Sequence, residues 1–347
     1  MNTLSRIVSH WRSWLLSSTI TASIFWYLFS QINSAELIAT GRGMTPRFLG
    51  FFLLLLLGGV IARAVRFWVL LERTVPLRFL AVIVLIRNLF VDLLPARLGE
   101  VSYVYLVTKH AKRPVEDVLA SLILAVAFDI VALAPLLLLA IIAVGGNDSI
   151  SRPWQALIAI ALGCGAFAAA RLIVPIGYWA SEKLKTFGQK SSKRRTKVAS
   201  LFRSTSEAIA HVWQRGILVQ VLLISLVVRL CKFGSYYFLV LAIFGGLDLD
   251  VSDAGFFRVF LGVVSAELAA ALPISGVAGF GTFEAAWAFS FTQLGFERND
   301  AIISGILTHG VSQVVEYSMG ALALLFIMRQ TQRSGSFSFN TDRFEDK

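Results

Sequence analysis

The sequence predicts an all-α, polytopic helical membrane protein with about six full spans and two broken or re-entrant hairpins of opposite orientation. Three observations predict it. Of 347 residues, 56% are hydrophobic and only 15% charged, with a mean hydropathy of +0.73, whereas a soluble domain carries roughly 25% charged residues. Several apolar runs reach the roughly 20 residues needed to cross a hydrocarbon core. Two longer apolar regions, 79–108 and 254–294, each hold a proline with glycines near the middle, which interrupts a helix rather than continuing it.

The first run, Ser13 to Ile32, follows Arg6 and Arg12. It is long for the apolar part of a cleaved signal peptide, and Ala35 marks a poor cleavage site, so it reads as an uncleaved first span. Further spans fall near 48–71, 118–144, 155–180, 217–245 and 301–328. Between the last two pairs lies a basic stretch, about 182–215. Within it Val198, Leu201, Phe202, Ile209, Val212 and Trp213 fall near one helical face. That pattern predicts an amphipathic helix on the cytoplasmic surface. Residues 1–329 form one membrane domain, and the polar stretch 330–347 is expected to be a disordered tail. Cys164 and Cys231 each sit inside an apolar run and are expected to be buried as small apolar residues.

Orientation follows from basic residues, which favour cytoplasmic loops. Lys183, Lys185, Lys190, Lys193, Arg194, Arg195, Lys197, Arg203 and Arg215 put the 182–215 stretch inside. The connection from Gly245 to Asp253 carries Asp248, Asp250 and Asp253 without Lys or Arg, and belongs outside. With both termini cytoplasmic, 79–108 must enter and leave from inside and 254–294 from outside. The loop with Arg42 and Arg47 beside Glu36 is the one charge-rich connection that disagrees. Two broken segments of opposite orientation point to a transporter-type site near the midplane; two ordinary kinked helices are the plainer alternative. The overall charge of +11 is explained by loops facing anionic headgroups, and no nucleic-acid motif accompanies it.

Ionisable residues inside a bilayer are costly and need a partner or a wet cavity. The first broken region has Arg87, Asn88, Asp92, Arg97, Gly99 and Glu100 around Pro95. A helix restarting after Pro95 would aim free N–H groups and a positive dipole end inward. With Arg97 this suits the phosphate or carboxylate of an amphiphile; an Arg97–Asp92 or Arg97–Glu100 pair is the structural alternative. The second region reads Pro273-Ile-Ser-Gly276-Val-Ala-Gly279-Phe-Gly281-Thr-Phe-Glu284. Its glycines let backbone approach closely, and Glu284 near a helix start can take a proton, bind a cation or cap the helix. Arg63 with Arg66, Arg229 with Lys232, and Asp129, Arg171, Arg258 and Glu267 are further intramembrane ionisable positions. Arg66 and Arg258 lie near span ends, where snorkelling is an alternative. His309, Gln313 and Glu316 align on the last span, as a proton or cation path or as interhelical hydrogen-bonding groups. No nucleophile elbow, Walker loop, zincin helix or Cys/His metal spacing occurs, so no catalytic residue, cofactor or metal site is expected.

The two breakpoints resemble the membrane, flippase-like domain of the lysylphosphatidylglycerol synthase family. The likeness is carried by Asn88, Pro95, Arg97, Gly99 and Glu100, and by Pro273, Gly276, Gly279, Gly281 and Glu284 followed by Ala285-Ala286-Trp287. The resemblance implies movement of a lipid or lipid-linked amphiphile between leaflets, with membrane lipids and anionic headgroups as partners, in a bacterial inner membrane. It also implies no lysyl-lipid synthesis, because the soluble aminoacyl-transfer domain of the synthases does not follow the last span. Many relatives place an Arg directly before the second-element Glu, where this chain has Phe283. Headgroup specificity therefore does not carry over. Glu267 and Glu284 are expected to supply switchable charge opposite Arg97. A non-transporting scaffold for an envelope lipid or glycan biosynthetic enzyme, docking through the basic loop, is the alternative function.

Overall fold

The computed structural model describes residues 33–93, 99–144, 152–186, 193–247, 249, 255–270 and 279–334, with Trp26 and Ser30. All regular structure among them is helical. In chain order the helices are α1 (Ser34–Gly43), α2 (Pro46–Leu70), α3 (Leu77–Leu93), α4 (Glu100–His110), α5 (Val115–Val144), α6 (Arg152–Thr186), α7 (Lys193–Gln214), α8 (Leu218–Gly246), α9 (Phe256–Ala270), α10 (Thr282–Gln293) and α11 (Arg298–Ser334). Five of them contain segments long and apolar enough to cross a membrane: Pro46–Leu70, Val115–Val144, Gly163–Thr186, Leu218–Gly246 and Arg298–Arg329. These are the second to sixth spans expected from the sequence. The expected first span, apart from Trp26 and Ser30, and the expected tail at 335–347 lie outside the described residues.

Besides a buried apolar core, many large apolar side chains are exposed. On α8, Val219, Leu223, Val227 and Leu230 are exposed at helical spacing along one face, while Val221, Ser225 and Val228 are buried. Such a face suits lipid, which is as apolar as the side chains. On α6, Trp154 and Trp179 are both exposed and stand about 37 Å apart along the helix. That separation brackets a hydrocarbon core of about 30 Å, and tryptophan favours its two interfaces. Cys164 is exposed on the same helix, which corrects the expectation that it is buried. A thiol facing acyl chains needs no polar partner, so lipid exposure serves it as well as burial. Cys231 is half-buried, with its Cβ and Sγ close to Gly59 and Gly58.

The two proline-broken regions form helix–break–helix elements. α3 and α4 have 17 and 11 residues, and α9 and α10 have 15 and 12. At about 1.5 Å per residue none reaches the roughly 30 Å of a hydrocarbon core. By Gly99 the chain has turned back on α3, since a Cβ there would strike the backbone of Phe90 and Val91. α9 and α10 are antiparallel: Ser265 bonds Ser290 at 2.5 Å, Gly262 lies on the Phe291 ring, and Gly279 approaches Ala270.

The described chain divides into two compact units. Unit 1 comprises residues 1–57, 87–100 and 232–322; unit 2 comprises 58–86, 101–231 and 323–347. In unit 1, segments expected on one side of the membrane gather at one end. Thr45 N–H donates to Ala242 O at 3.0 Å, the Gly43 and Gly246 backbones nearly touch, and Asn299 donates to Glu36 at 3.0 Å. Unit 2 has a matching end, where Arg215 reaches the carbonyls of Val69 and Leu70 and His211 meets Glu72.

Also in unit 2, α7 runs antiparallel to α6. Ser181 donates to Ala199 O at 2.8 Å, Gly177 abuts Ser206, and the Arg171 guanidinium lies 4.3 Å from the Trp213 ring. The helix expected at 198–213 forms, but its apolar face is divided. Ile209 and Val212 are buried and Trp213 packs on Phe128 and Phe167, while Val198 and Phe202 stay exposed.

Candidate functional site

Both breaks fall in unit 1, and each carries intramembrane charge. At the first, Arg87 on α3 donates through Nε and Nη2 to the two carboxylate oxygens of Glu100 at the start of α4; the Nε bond is 2.6 Å. Arg87 Nη1 also donates to Asn88 Oδ1 at 3.3 Å. A carboxylate in the first turn of a helix is favoured by its free N–H groups. Glu100 therefore joins the two arms electrostatically while Gly99 permits their approach. Its partner among the described residues is Arg87; the Arg97–Asp92 and Arg97–Glu100 alternatives fall outside them. Pro95, Arg97 and the side chain of Asp92 lie outside the described residues.

The second break ends in two glycines with left-handed backbone, Gly279 at φ +77° and Gly281 at φ +89°. Side-chain-bearing residues avoid this region. Gly281 caps α10, and its N–H donates to Glu284 Oε2 at 2.6 Å. The other oxygen of Glu284 meets His309 Nδ1 on α11 at 2.6 Å, and His309 Nε2 lies 3.0 Å from the Gln313 amide nitrogen. Glu284 is 0% and His309 4% exposed. The imidazole is held between the rings of Phe280 and Phe283, at centroid distances of 4.4 and 4.3 Å. Phe283 is thus a wall of this site. A ladder of Phe283, Trp287 and Phe291 continues along α10, with Trp287 Nε1 donating to Ser304 on α11 at 3.2 Å. Pro273 and Gly276 lie outside the described residues.

The polar stripe on α11 is therefore split by role. His309 bonds across to α10 and Gln313 bonds back to His309, while Glu316 is half-buried about two turns further on. Gln313 Oε1 is buried without a hydrogen-bond partner. With its nitrogen toward His309, the amide serves an imidazole protonated only at Nδ1. Turned through 180°, its oxygen would accept from a doubly protonated ring. The cluster can thus hold one proton more or less with its hydrogen bonds intact. Glu267 is not part of it: on α9 it pairs with Lys232 of α8 at 2.6 Å.

Sequence reading did not find these pairings. Nothing in the local spacing joins His309 to Glu284 or Lys232 to Glu267. The usable signal was complementarity, since each is an ionisable group in an apolar helix and needs a partner. Arg66 was singled out with snorkelling as its alternative, and its partner was not found. It is 3% exposed and bound to Asp129 within unit 2, so it does not snorkel.

Comparison with curated proteins and with solved structures returned no match. The model of one family, the lysylphosphatidylglycerol synthase TM region, matches residues 14–320. With helical spans, two broken elements and that match over most of its length, the chain belongs to the lysylphosphatidylglycerol synthase TM region family, as a multi-pass membrane protein.

Proposed function

We propose that the protein translocates a lipid or lipid-linked amphiphile with an anionic headgroup between leaflets, through unit 1. The observation that carries this reading is that both helix breaks belong to one compact unit and each anchors an ion pair or hydrogen-bonded acid–base pair. Broken helices at depth are tolerated where they line a polar cavity or are covered by protein, and paired short helices are the usual frame of a midplane site. Pro95, Arg97 and the start of α4 would receive the headgroup. Arg87, Asn88, Asp92, Gly99 and Glu100 would hold that break in place. Pro273, Gly276, Gly279 and Gly281 would let backbone approach the cargo from the second hairpin.

Glu284, His309 and Gln313 would supply the switchable charge, with Glu316 further along the same helix and Glu267 of α9 paired with Lys232 of α8. One proton gained or lost at the His309–Glu284 pair changes the net charge of a dry site. A change of that kind can bias a hairpin between two positions.

The test is reconstitution of the full chain in liposomes containing fluorescent phosphatidylglycerol, with outer-leaflet quenching as readout. Wild type should expose more than the outer-leaflet half of the label, and Arg97→Ala and Glu284→Gln should each slow that exposure. Unchanged rates in both variants would remove these residues from the mechanism. A wild type no faster than empty liposomes would remove transport.

A further inference from the structure

Two ion pairs of unit 1 are one to one, Arg87 with Glu100 and Lys232 with Glu267. Unit 2 differs. There two guanidinium groups from separate helices converge on one carboxylate. Arg66 of α2 grips Asp129 of α5 through both terminal nitrogens, at 2.6 and 3.2 Å, and donates to Ser225 of α8 at 3.1 Å. Arg229 of α8 donates from Nε to the Asp129 carbonyl at 3.2 Å and lies 3.5 Å from its Oδ1. Among the described residues, Asp129 is the carboxylate within salt-bridge reach of both. The triad carries one positive charge in excess.

Burial makes this excess costly, since Arg66 is buried and Arg229 nearly so. An unbalanced charge at such a position costs several kcal/mol unless an anion or water meets it. Asp129 does not saturate the donors, because Arg66 Nε is buried without an acceptor. Access is on the Arg229 side: Arg66 is 3% exposed, Arg229 16% and Asp129 20%.

We propose that Arg229, backed by Arg66 and Asp129, forms an intramembrane anion site in unit 2 that holds the phosphate of an anionic lipid. A phosphodiester carries the single negative charge that the triad lacks, and guanidinium groups bind its paired oxygens well. The site does not rest on translocation through unit 1; it would tether a lipid in a protein that moves none.

The test uses the full chain in phosphatidylcholine nanodiscs doped with phosphatidylglycerol, with retained lipid counted by native mass spectrometry. Wild type should retain phosphatidylglycerol. Arg229→Gln should retain about tenfold less, the equivalent of about 1.4 kcal/mol, which is what one charge-assisted hydrogen bond supplies. Arg229→Lys should recover part of the loss. Asp129→Asn raises the net charge by one and should hold the lipid more tightly, whereas a purely structural ion pair would gain nothing. Glu207→Gln, at an exposed position on α7, changes the net charge by the same amount and should retain as much as wild type. Equal retention by wild type and Arg229→Gln overturns the proposal. So does a site that inorganic phosphate stabilises in wild type but not in Arg229→Gln while phosphatidylglycerol is not retained, because the ligand is then a free anion.

Discussion

Replacing His309 with alanine should destabilise the protein far more than replacing Glu284 with glutamine, and the second change should rescue the first. Glu284 is fully buried and makes two short bonds, one to Gly281 N–H and one to His309, both 2.6 Å. Removing the imidazole strands a carboxylate with one backbone donor, and breaking a buried charged pair from one side costs about 3–5 kcal/mol. Loss of the ring from between Phe280 and Phe283 adds about 0.5–1.5 kcal/mol per stacking contact. Glu284→Gln keeps the size, and its amide oxygen can still accept from Gly281 N–H. The bond to His309 falls from charge-assisted to neutral, so the loss is about 1–2 kcal/mol.

In the His309→Ala background, Glu284→Gln removes the stranded charge and should raise stability. The sign of one substitution therefore reverses with the state of its neighbour. Thermal unfolding of the four proteins in one detergent, read as a double-mutant cycle, measures this directly. If Glu284→Gln lowers the midpoint equally in both backgrounds, Glu284 and His309 are not coupled and the proposed proton site is wrong.

Three further outcomes follow from the geometry. Gly99→Ala places a methyl group in the backbone of Phe90 and Val91, which cannot rotate aside; a loss of about 1–3 kcal/mol or more is expected, read as a lower melting midpoint with slower lipid exposure. Gly281→Ala forces a side chain onto φ +89° and should cost about 1–3 kcal/mol; a midpoint matching wild type would show that α10 does not need this cap. Lys232→Met alone should destabilise by leaving Glu267 unpaired, while Lys232→Met with Glu267→Leu should come back close to wild type, since a buried ion pair is often no more stabilising than apolar packing; equal midpoints for the single and double variants would count against the pair.

The breaks were legible because proline and glycine interrupt an apolar run in a way that needs no knowledge of neighbours. Pro273 with Gly276, Gly279 and Gly281 placed the start of α10 correctly, and Glu284 was readable as a residue of its first turn. That the same carboxylate also reaches His309, 25 residues on, was not legible. The contact depends on how α10 lies along α11, and that is set by Trp287 against Gly305 and Ser304. For α7 the pattern gave an amphipathic helix, and the helix is there. A hydrophobic face does not say whether it meets lipid or protein, and here Ile209 and Val212 went to protein while Val198 and Phe202 did not.

Composition and the order of apolar runs determined by themselves that this is a helical membrane protein, where its long spans lie and where two helices must stop. These follow because backbone polar groups in hydrocarbon must be satisfied within each segment, which makes the span a local property. Partner choice is not local. A guanidinium or carboxylate at depth must find its counterpart on another helix, and distance in the folded unit, not spacing along the chain, selected Asp129 for Arg66, Glu100 for Arg87 and His309 for Glu284.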